Sequence, residues 1–290
     1  MTRHIACLAA AALVAAAAGV GAQQDEGNRP IDPFRIAGNL YYVGSSDIGS
    51  YLVTTPAGHF LIDGGYASTA PIIEANVAAL GFKIRDIRYL VNTQGHGDHA
   101  GGFAALKEHT GATLAVSAAD ADVIERGGTH DFSLGDTLTF PAAKVDIRLK
   151  DGDTLTADGT NLTAHLTPGH TQGCTTWTFD VKDAGRTLHV VDMCGLSILP
   201  NTRVSGMPGY PGITSDYRRT FETLKKLPVD IFIGAHAGYY GGMEKAAKAK
   251  ANPSGPNPFI DPDGYRAYIA TAEKRFTDQL EREQKGRRPE

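Results

Sequence analysis

The sequence has no surplus of positive charge. Its 28 Lys and Arg face 32 Asp and Glu, for a formal net charge of -4, and no basic cluster is interleaved with aromatic residues. A nucleic-acid partner is not expected. Long apolar runs are also scarce. The one present, Ile5 to Val20, is almost wholly Ala, Leu, Val and Gly, too short and too rich in small residues for a transmembrane helix. Arg3 and His4 precede it and Val20-Gly21-Ala22 closes it, the layout of a secretion signal with a small-residue cleavage site. Residues 1–22 are therefore expected to be removed. That leaves 23–290 as a single periplasmic or secreted domain, without membrane attachment and expected to act as a monomer.

Cysteine is rare too, with 3 in 290 residues, one of them (Cys7) inside the signal. A pair remaining in an oxidising compartment is a disulfide candidate. A turn at Lys182-Asp183-Ala184-Gly185 would fold the stretch after Cys174 against the stretch before Cys194 and bring the two close, although spacing alone does not set the Cα distance a bridge needs. At 42% hydrophobic and 21% charged, the rest reads as an ordinary globular chain.

Hydrophobic patterning gives α/β organisation. Short strands are expected at 40–43, 51–54, 59–63, 87–91 and 113–116, with helices at 71–80, 102–109 and 118–125 between them. The second half repeats the plan. Strands are expected at 145–149, 162–167, 175–179, 187–191 and 231–233, with helices at 215–227, capped by Ser215 or Thr214 and stopped by Pro228, and at 262–284. Strands then helices, twice, without a composition break, predict two sheets packed face to face with helices outside, a four-layer αββα sandwich.

The densest chemistry lies in Asn92-Thr93-Gln94-Gly95-His96-Gly97-Asp98-His99-Ala100-Gly101-Gly102. Two His and one Asp fall within four residues at the end of an apolar strand, on a backbone loosened by glycine. Imidazole and carboxylate are the nitrogen and oxygen ligands zinc takes; the competing reading is a solvated His-containing turn. His170 in Pro168-Gly169-His170-Thr171 and His236 in Gly234-Ala235-His236-Ala237 each follow a strand in the same way. A lone His there is usually a surface or capping residue, but three strand ends delivering His to one sheet edge point to a shared site. His59, His109, His130, His165 and His189 have no such context. His165 and His189 sit within strand patterns, and His130 lies near Phe132 at the edge of the same region.

The motif resembles the H-x-H-x-D-H signature of the metallo-beta-lactamase superfamily, with Asp63 in Leu61-Ile62-Asp63-Gly64-Gly65 as the supporting aspartate. Pro208-Gly209-Tyr210-Pro211, Ser215-Asp216-Tyr217-Arg218-Arg219, Asn257-Pro258-Phe259-Ile260 and the C-terminal helix look like the third subclass of metallo-beta-lactamases. The resemblance implies two zinc ions, one held by Gln94, His96 and His170, the other by Asp98, His99 and His236. Gln94 departs from the family's usual His. A neutral amide oxygen is a poorer zinc ligand than imidazole, so the Asp98 site is expected to fill first. Other subclasses place a Cys ligand where Gly195 falls here, which keeps Cys194 open as a ligand beside its reading as a disulfide partner.

The implied reaction is β-lactam ring opening in penicillins, cephalosporins or carbapenems by a metal-bound hydroxide. Asp98 would orient the nucleophile, and Ser197 and Asn201 are candidate contacts for the substrate. Two alternatives stay open: hydrolysis of lactones or other cyclic esters at the same zinc site, and a secreted zinc-binding protein without catalysis.

Overall fold

The computed structural model describes residues 27–286; the expected secretion signal lies outside them. The first half builds a seven-stranded sheet in chain order from β1 (Phe34–Ala37), β2 (Leu40–Tyr42), β3 (Tyr51–Val53), β4 (His59–Ile62), β5 (Ile87–Val91), β6 (Thr113–Ser117) and β7 (Ile147–Leu149). Pairing is antiparallel up to β4 and parallel from β4 to β7. Helices α1 (Ala70–Ala79), α2 (Gly97–Ala100), α3 (Phe103–Thr110) and α4 (Ala118–Glu125) fill the crossovers. The second sheet, ordered β12-β11-β10-β9-β8, comes from β8 (Thr154–Ala157), β9 (Thr160–Leu166), β10 (Thr175–Asp183), β11 (Arg186–Met193) and β12 (Ile231–Gly234). Helix α5 (Ile213–Leu224) joins β11 to β12, and α6 (Gly242–Ala251) and α7 (Pro262–Lys285) follow β12.

Strand alternation separates two cores. Along β4, Phe60 and Ile62 point into the core shared with the second sheet, while Leu61 points the other way, onto α1 and α3 through Ile73, Val77, Phe103 and Leu106. Leu90 and Val91 of β5 divide in the same manner. The inter-sheet core continues past Trp177, Val190 and Ile233 to Phe221, Tyr265 and Phe276 on α5 and α7. Each face of each sheet is thus covered, and the four-layer αββα expectation holds. Burying each such Phe or Leu stabilises the fold by roughly 1.5–3 kcal/mol.

Several boundaries differ from the sequence expectation. Helix α5 starts at Ile213 after Gly212 rather than at a Ser or Thr cap. The Ser215 hydroxyl donates to Gly212 O at 2.7 Å and the Thr214 hydroxyl donates to Val204 O, so both are spent on carbonyls instead of accepting helix N–H groups. The helix also ends earlier, because Lys226 N–H and Leu227 N–H bond three residues back, to Thr223 O and Leu224 O, a tightened last turn. The strand expected from residue 145 is confined to β7. Strands β1 and β8 and helix α6 were not anticipated. Helix α7 behaves as expected, with Tyr265, Ile269, Ala272, Phe276 and Leu280 buried. It begins on Asp261, whose carboxylate accepts Gly264 N–H at 2.8 Å, with Pro262 in its first turn, a favoured opening pair.

The β10–β11 hairpin turns on Ala184 and Gly185, both at positive φ (47° and 77°), as a two-residue connection of right-twisted strands demands. Its register pairs Trp177 with Asp192, which carries Cys174 and Cys194 together at a Cα separation of 5.7 Å as a disulfide. With its sulfur in that bridge, Cys194 has no thiolate to offer a metal, and that alternative falls.

Candidate metal centre

The parallel strands β4, β5 and β6, and β11 with β12, place their C-terminal ends at one edge of the sandwich, where open α/β sheets present ligand sites. Four strand ends supply the singled-out residues. Asp63 follows β4, Gln94 to His99 follow β5, His170 follows β9 and His236 follows β12. Two bonds lock the sheets together there: Thr175 N–H donates to Thr93 O at 2.7 Å and Trp177 Nε1–H donates to Asn92 O at 2.9 Å.

The side chains meet in two groups. In one, Asp98 Oδ2 lies 3.2 Å from His99 Nε2 and 3.4 Å from His236 Nε2, and the two imidazole nitrogens are 3.3 Å apart. In the other, His96 Nδ1 lies 3.0 Å from Gln94 Oε1 and 3.2 Å from His170 Nε2. Ligands arranged tetrahedrally at zinc's bond lengths of about 2.0–2.1 Å stand about 3.3 Å apart. All three separations in the first group are close to that spacing, as are the two from His96 in the second, so either could hold such an ion.

Orientation of the rings supports the same use. His99 Nδ1–H donates to Asp63 Oδ2 at 3.1 Å, His236 Nδ1–H donates to Asp47 Oδ2 at 2.9 Å, and His170 Nδ1–H donates to Ser197 O at 2.8 Å. Each ring therefore has its outer nitrogen held by an acceptor and turns its other nitrogen inward, where losing a proton to an arriving metal would free a lone pair. His96 repeats this less tightly: its buried Nε2 has no hydrogen-bond partner among the described residues but faces Asp131 Oδ2 at 3.6 Å. Metal-binding imidazoles are typically fixed in tautomer by such outer acceptors. Asp63 does more than accept from His99. It holds Thr93 N–H and the Thr93 hydroxyl, both at 2.6 Å, from a backbone at φ 60°, a conformation Asp tolerates better than most residues.

The electrostatics of the two groups differ. Burial opposes charge on His99, but the Asp98 and Asp63 carboxylates outweigh it and raise its pKa to about 10. Burial would push the Asp98 carboxyl up, yet His99 and His236 hold it well below the usual carboxylate range. This group is built to neutralise a positive charge. His170 is the reverse: burial and the neighbouring His96 push it down to about 3, so it is neutral at pH 7 and its group contains no carboxylate.

The remaining predicted residues fall out variously. Ser197 is exposed, with its hydroxyl 3.2 Å from His170 Nδ1. Asn201 lies exposed on the same loop, away from the two groups' hydrogen bonds. His130 is exposed beside Asp136, while Phe132 packs on Tyr210.

Sequence reasoning missed Asp47, Asp131 and Asp120. Asp120, on α4, is fully buried and clamps the loops that carry the two groups. It accepts Thr171 Oγ1–H and Gly173 N–H, each at 3.0 Å, and the Gly95 N–H. Burial pushes its carboxyl up to about 6 against the pull of these donors. Gly173 has to be glycine for this approach, since a Cβ there would lie 2.4 Å from Asp120 N. No spacing rule marks any of these three aspartates.

The sequence profile of the metallo-beta-lactamase superfamily matches residues 47–236. Among solved structures, a metallo-beta-lactamase with a HARLDQ motif from Cronobacter sakazakii is 37% identical, covering 90% of this chain and 99% of that one at a TM-score of 0.86. BJP-1, a subclass B3 metallo-beta-lactamase of Bradyrhizobium japonicum, is 38% identical, covering 90% and 97% at a TM-score of 0.83. Matches to curated proteins are shorter. Hydroxyacylglutathione hydrolase from Methylococcus capsulatus is 28% identical over 57% of this chain and 52% of its own length. N-acyl homoserine lactonase AttM from Azorhizobium caulinodans is 28% identical over 61% and 75%. The chain spans 36% and 52% of the lengths of the first two curated relatives it matches.

Proposed function

The chain belongs to the metallo-beta-lactamase superfamily, and on that premise we propose that it is a zinc-dependent hydrolase that opens the β-lactam ring of penicillins, cephalosporins and carbapenems. The observation that carries this reading is the pair of ligand groups, in which three imidazoles have their outer nitrogens held by acceptors and their other nitrogens turned inward.

Asp98, His99 and His236 would hold one zinc, and Gln94, His96 and His170 the other. A bound zinc supplies a Lewis acid that polarises a carbonyl and acidifies water towards pH 7. The chain's own residues do the rest. Asp98, ionised throughout the neutral range, takes up the proton of the attacking water and returns it to the ring nitrogen as the C–N bond breaks. Asp63 and Asp47 keep the His99 and His236 rings in register with it. Ser197, exposed at the rim, offers its hydroxyl to the substrate. Attack by water needs no side-chain nucleophile, so no covalent acyl-enzyme is expected. Since only the Asp98 set carries a ligand charge, it binds zinc ahead of the neutral Gln94 set.

Sequence likeness favours β-lactams over lactones. The lactamase structures are 37% and 38% identical to this chain, whereas the lactonase is 28% identical in the part it matches. Comparing rates on a penicillin, a carbapenem and an N-acyl homoserine lactone tests the choice. The two β-lactams are expected to turn over faster; the lactone alone being hydrolysed would overturn the reading.

A further inference from the structure

Gln94 and His96 share the loop after β5, whereas His170 reaches them from the loop between β9 and β10. The angle of its ring therefore depends on what that loop meets. Asp120 holds the loop from one side, and the Thr220 hydroxyl donates to Pro168 O at 2.7 Å. The ring itself is set by the segment from Gly195 to Ser197. Its Nδ1–H donates to Ser197 O, which also accepts the Tyr217 hydroxyl at 3.1 Å. Gly195 packs on the ring so closely that a Cβ there would sit 3.3 Å from His170 Cδ2.

The sheet does not join these two segments to each other. The register of β10 against β11 starts at Trp177–Asp192. Before that pair, Thr175 N–H turns to Thr93 O in the other sheet; after it, Met193 pairs with Gly234 of β12. The covalent tie across the gap is the buried Cys174–Cys194 disulfide. One sulfur belongs to the residue directly before Gly195 and the other to the loop that carries His170, and Cys174 Sγ lies 3.7 Å from Gly195 O. The bridge thus seats Gly195 and Ser197 against the ring. The Asp98 group is held differently, with His99 on Asp63 and His236 on Asp47.

We propose that the Cys174–Cys194 bridge is a positioning element for metal at the Gln94 group, acting through His170 and not on the Asp98 group. The inference rests on the two zinc groups of the reading above. Without the bridge the ring no longer has a fixed backing, and Nε2 is not kept beside His96 Nδ1. Outer contacts that orient a metal-binding imidazole are worth about 10–100-fold in affinity.

The test is zinc affinity, read by competition with a chromophoric chelator, in the intact protein carrying Cys174→Ala with Cys194→Ala. Losing the bridge also lowers the melting temperature. Val77→Ala, in the core beneath α1, is therefore the comparison, a variant destabilised away from both groups. In the bridge variant the weaker zinc is expected to lose about tenfold or more in affinity and the tighter one less than about twofold. Val77→Ala is expected to leave both within about twofold. In a His170→Ala background, breaking the bridge is expected to change zinc binding no further. Equal weakening of both zincs, an unchanged weaker zinc, or the same loss in Val77→Ala would overturn the proposal. Should the bridge variant not fold, Gly195→Ala decides, since it presses a methyl on the ring with the bridge intact. The weaker zinc alone is expected to loosen there, and two unchanged zincs would overturn the proposal. A parent protein that takes up only one zinc overturns it as well. Two zincs, the weaker following the bridge, in a protein that hydrolyses no β-lactam would uphold the positioning role while ending the hydrolase reading.

Discussion

Asp98→Asn is expected to lower kcat/KM on a carbapenem by about a thousandfold and to release zinc from the protein on dialysis, with the melting temperature of the metal-free protein nearly unchanged. Asp98 is the only anionic group among the six proposed ligands, and its Oδ2 touches both His99 and His236. The amide keeps the shape and removes the charge. Two losses then combine. The zinc loses its anionic ligand, and the attacking water loses its proton acceptor. Asp98 is the half-buried residue of the short α2 and belongs to neither hydrophobic core. Steady-state kinetics with metal analysis on the dialysed variant checks both losses. Activity within tenfold of the parent, with its zinc retained, would remove Asp98 from the proposed mechanism.

Asp120→Ala should act in the opposite way, through stability first. It would leave the Thr171 hydroxyl, Gly173 N–H and Gly95 N–H buried without an acceptor. Stranded donors of this kind cost about 1–3 kcal/mol each, and the three together are expected to cost about 3–5 kcal/mol. For a domain of this size that lowers Tm by about 6–15 °C. The loops released are those carrying Gln94, His96 and His170, so zinc at that group is expected to weaken further. Asp120→Asn, which keeps one acceptor oxygen, should lose less. Thermal unfolding of both variants with and without zinc reads the difference. A melting temperature unchanged in Asp120→Ala would show that the clamp does not hold the loops.

These two residues also mark where sequence reading succeeds and stops. Gln94, His96, Asp98 and His99 were legible because they are packed into six residues of chain, so covalent spacing alone nearly dictates their convergence. His170 and His236 were legible because each follows a strand, and parallel strands bring their ends to one edge. The disulfide was legible because a two-residue turn sets hairpin register, and register sets which residues face each other. Asp120, Asp131 and Asp47 had no such signature. Each reaches the site from a helix or loop whose position depends on how the whole sandwich docks, and an isolated aspartate there looks like any solvated one. The same limit explains α5. Ser215 and Thr214 have the chemistry of caps, but neighbouring carbonyls at Gly212 and Val204 claimed their hydroxyls.

The most direct measurement is carbapenem hydrolysis by chelator-stripped protein as zinc is added back and bound metal is counted. The stripped protein is expected to be inactive while still folded, with a first zinc binding tightly, a second more weakly, and turnover returning as they bind. Unabated hydrolysis after the metal is gone, or no hydrolysis with both groups saturated, would contradict the account.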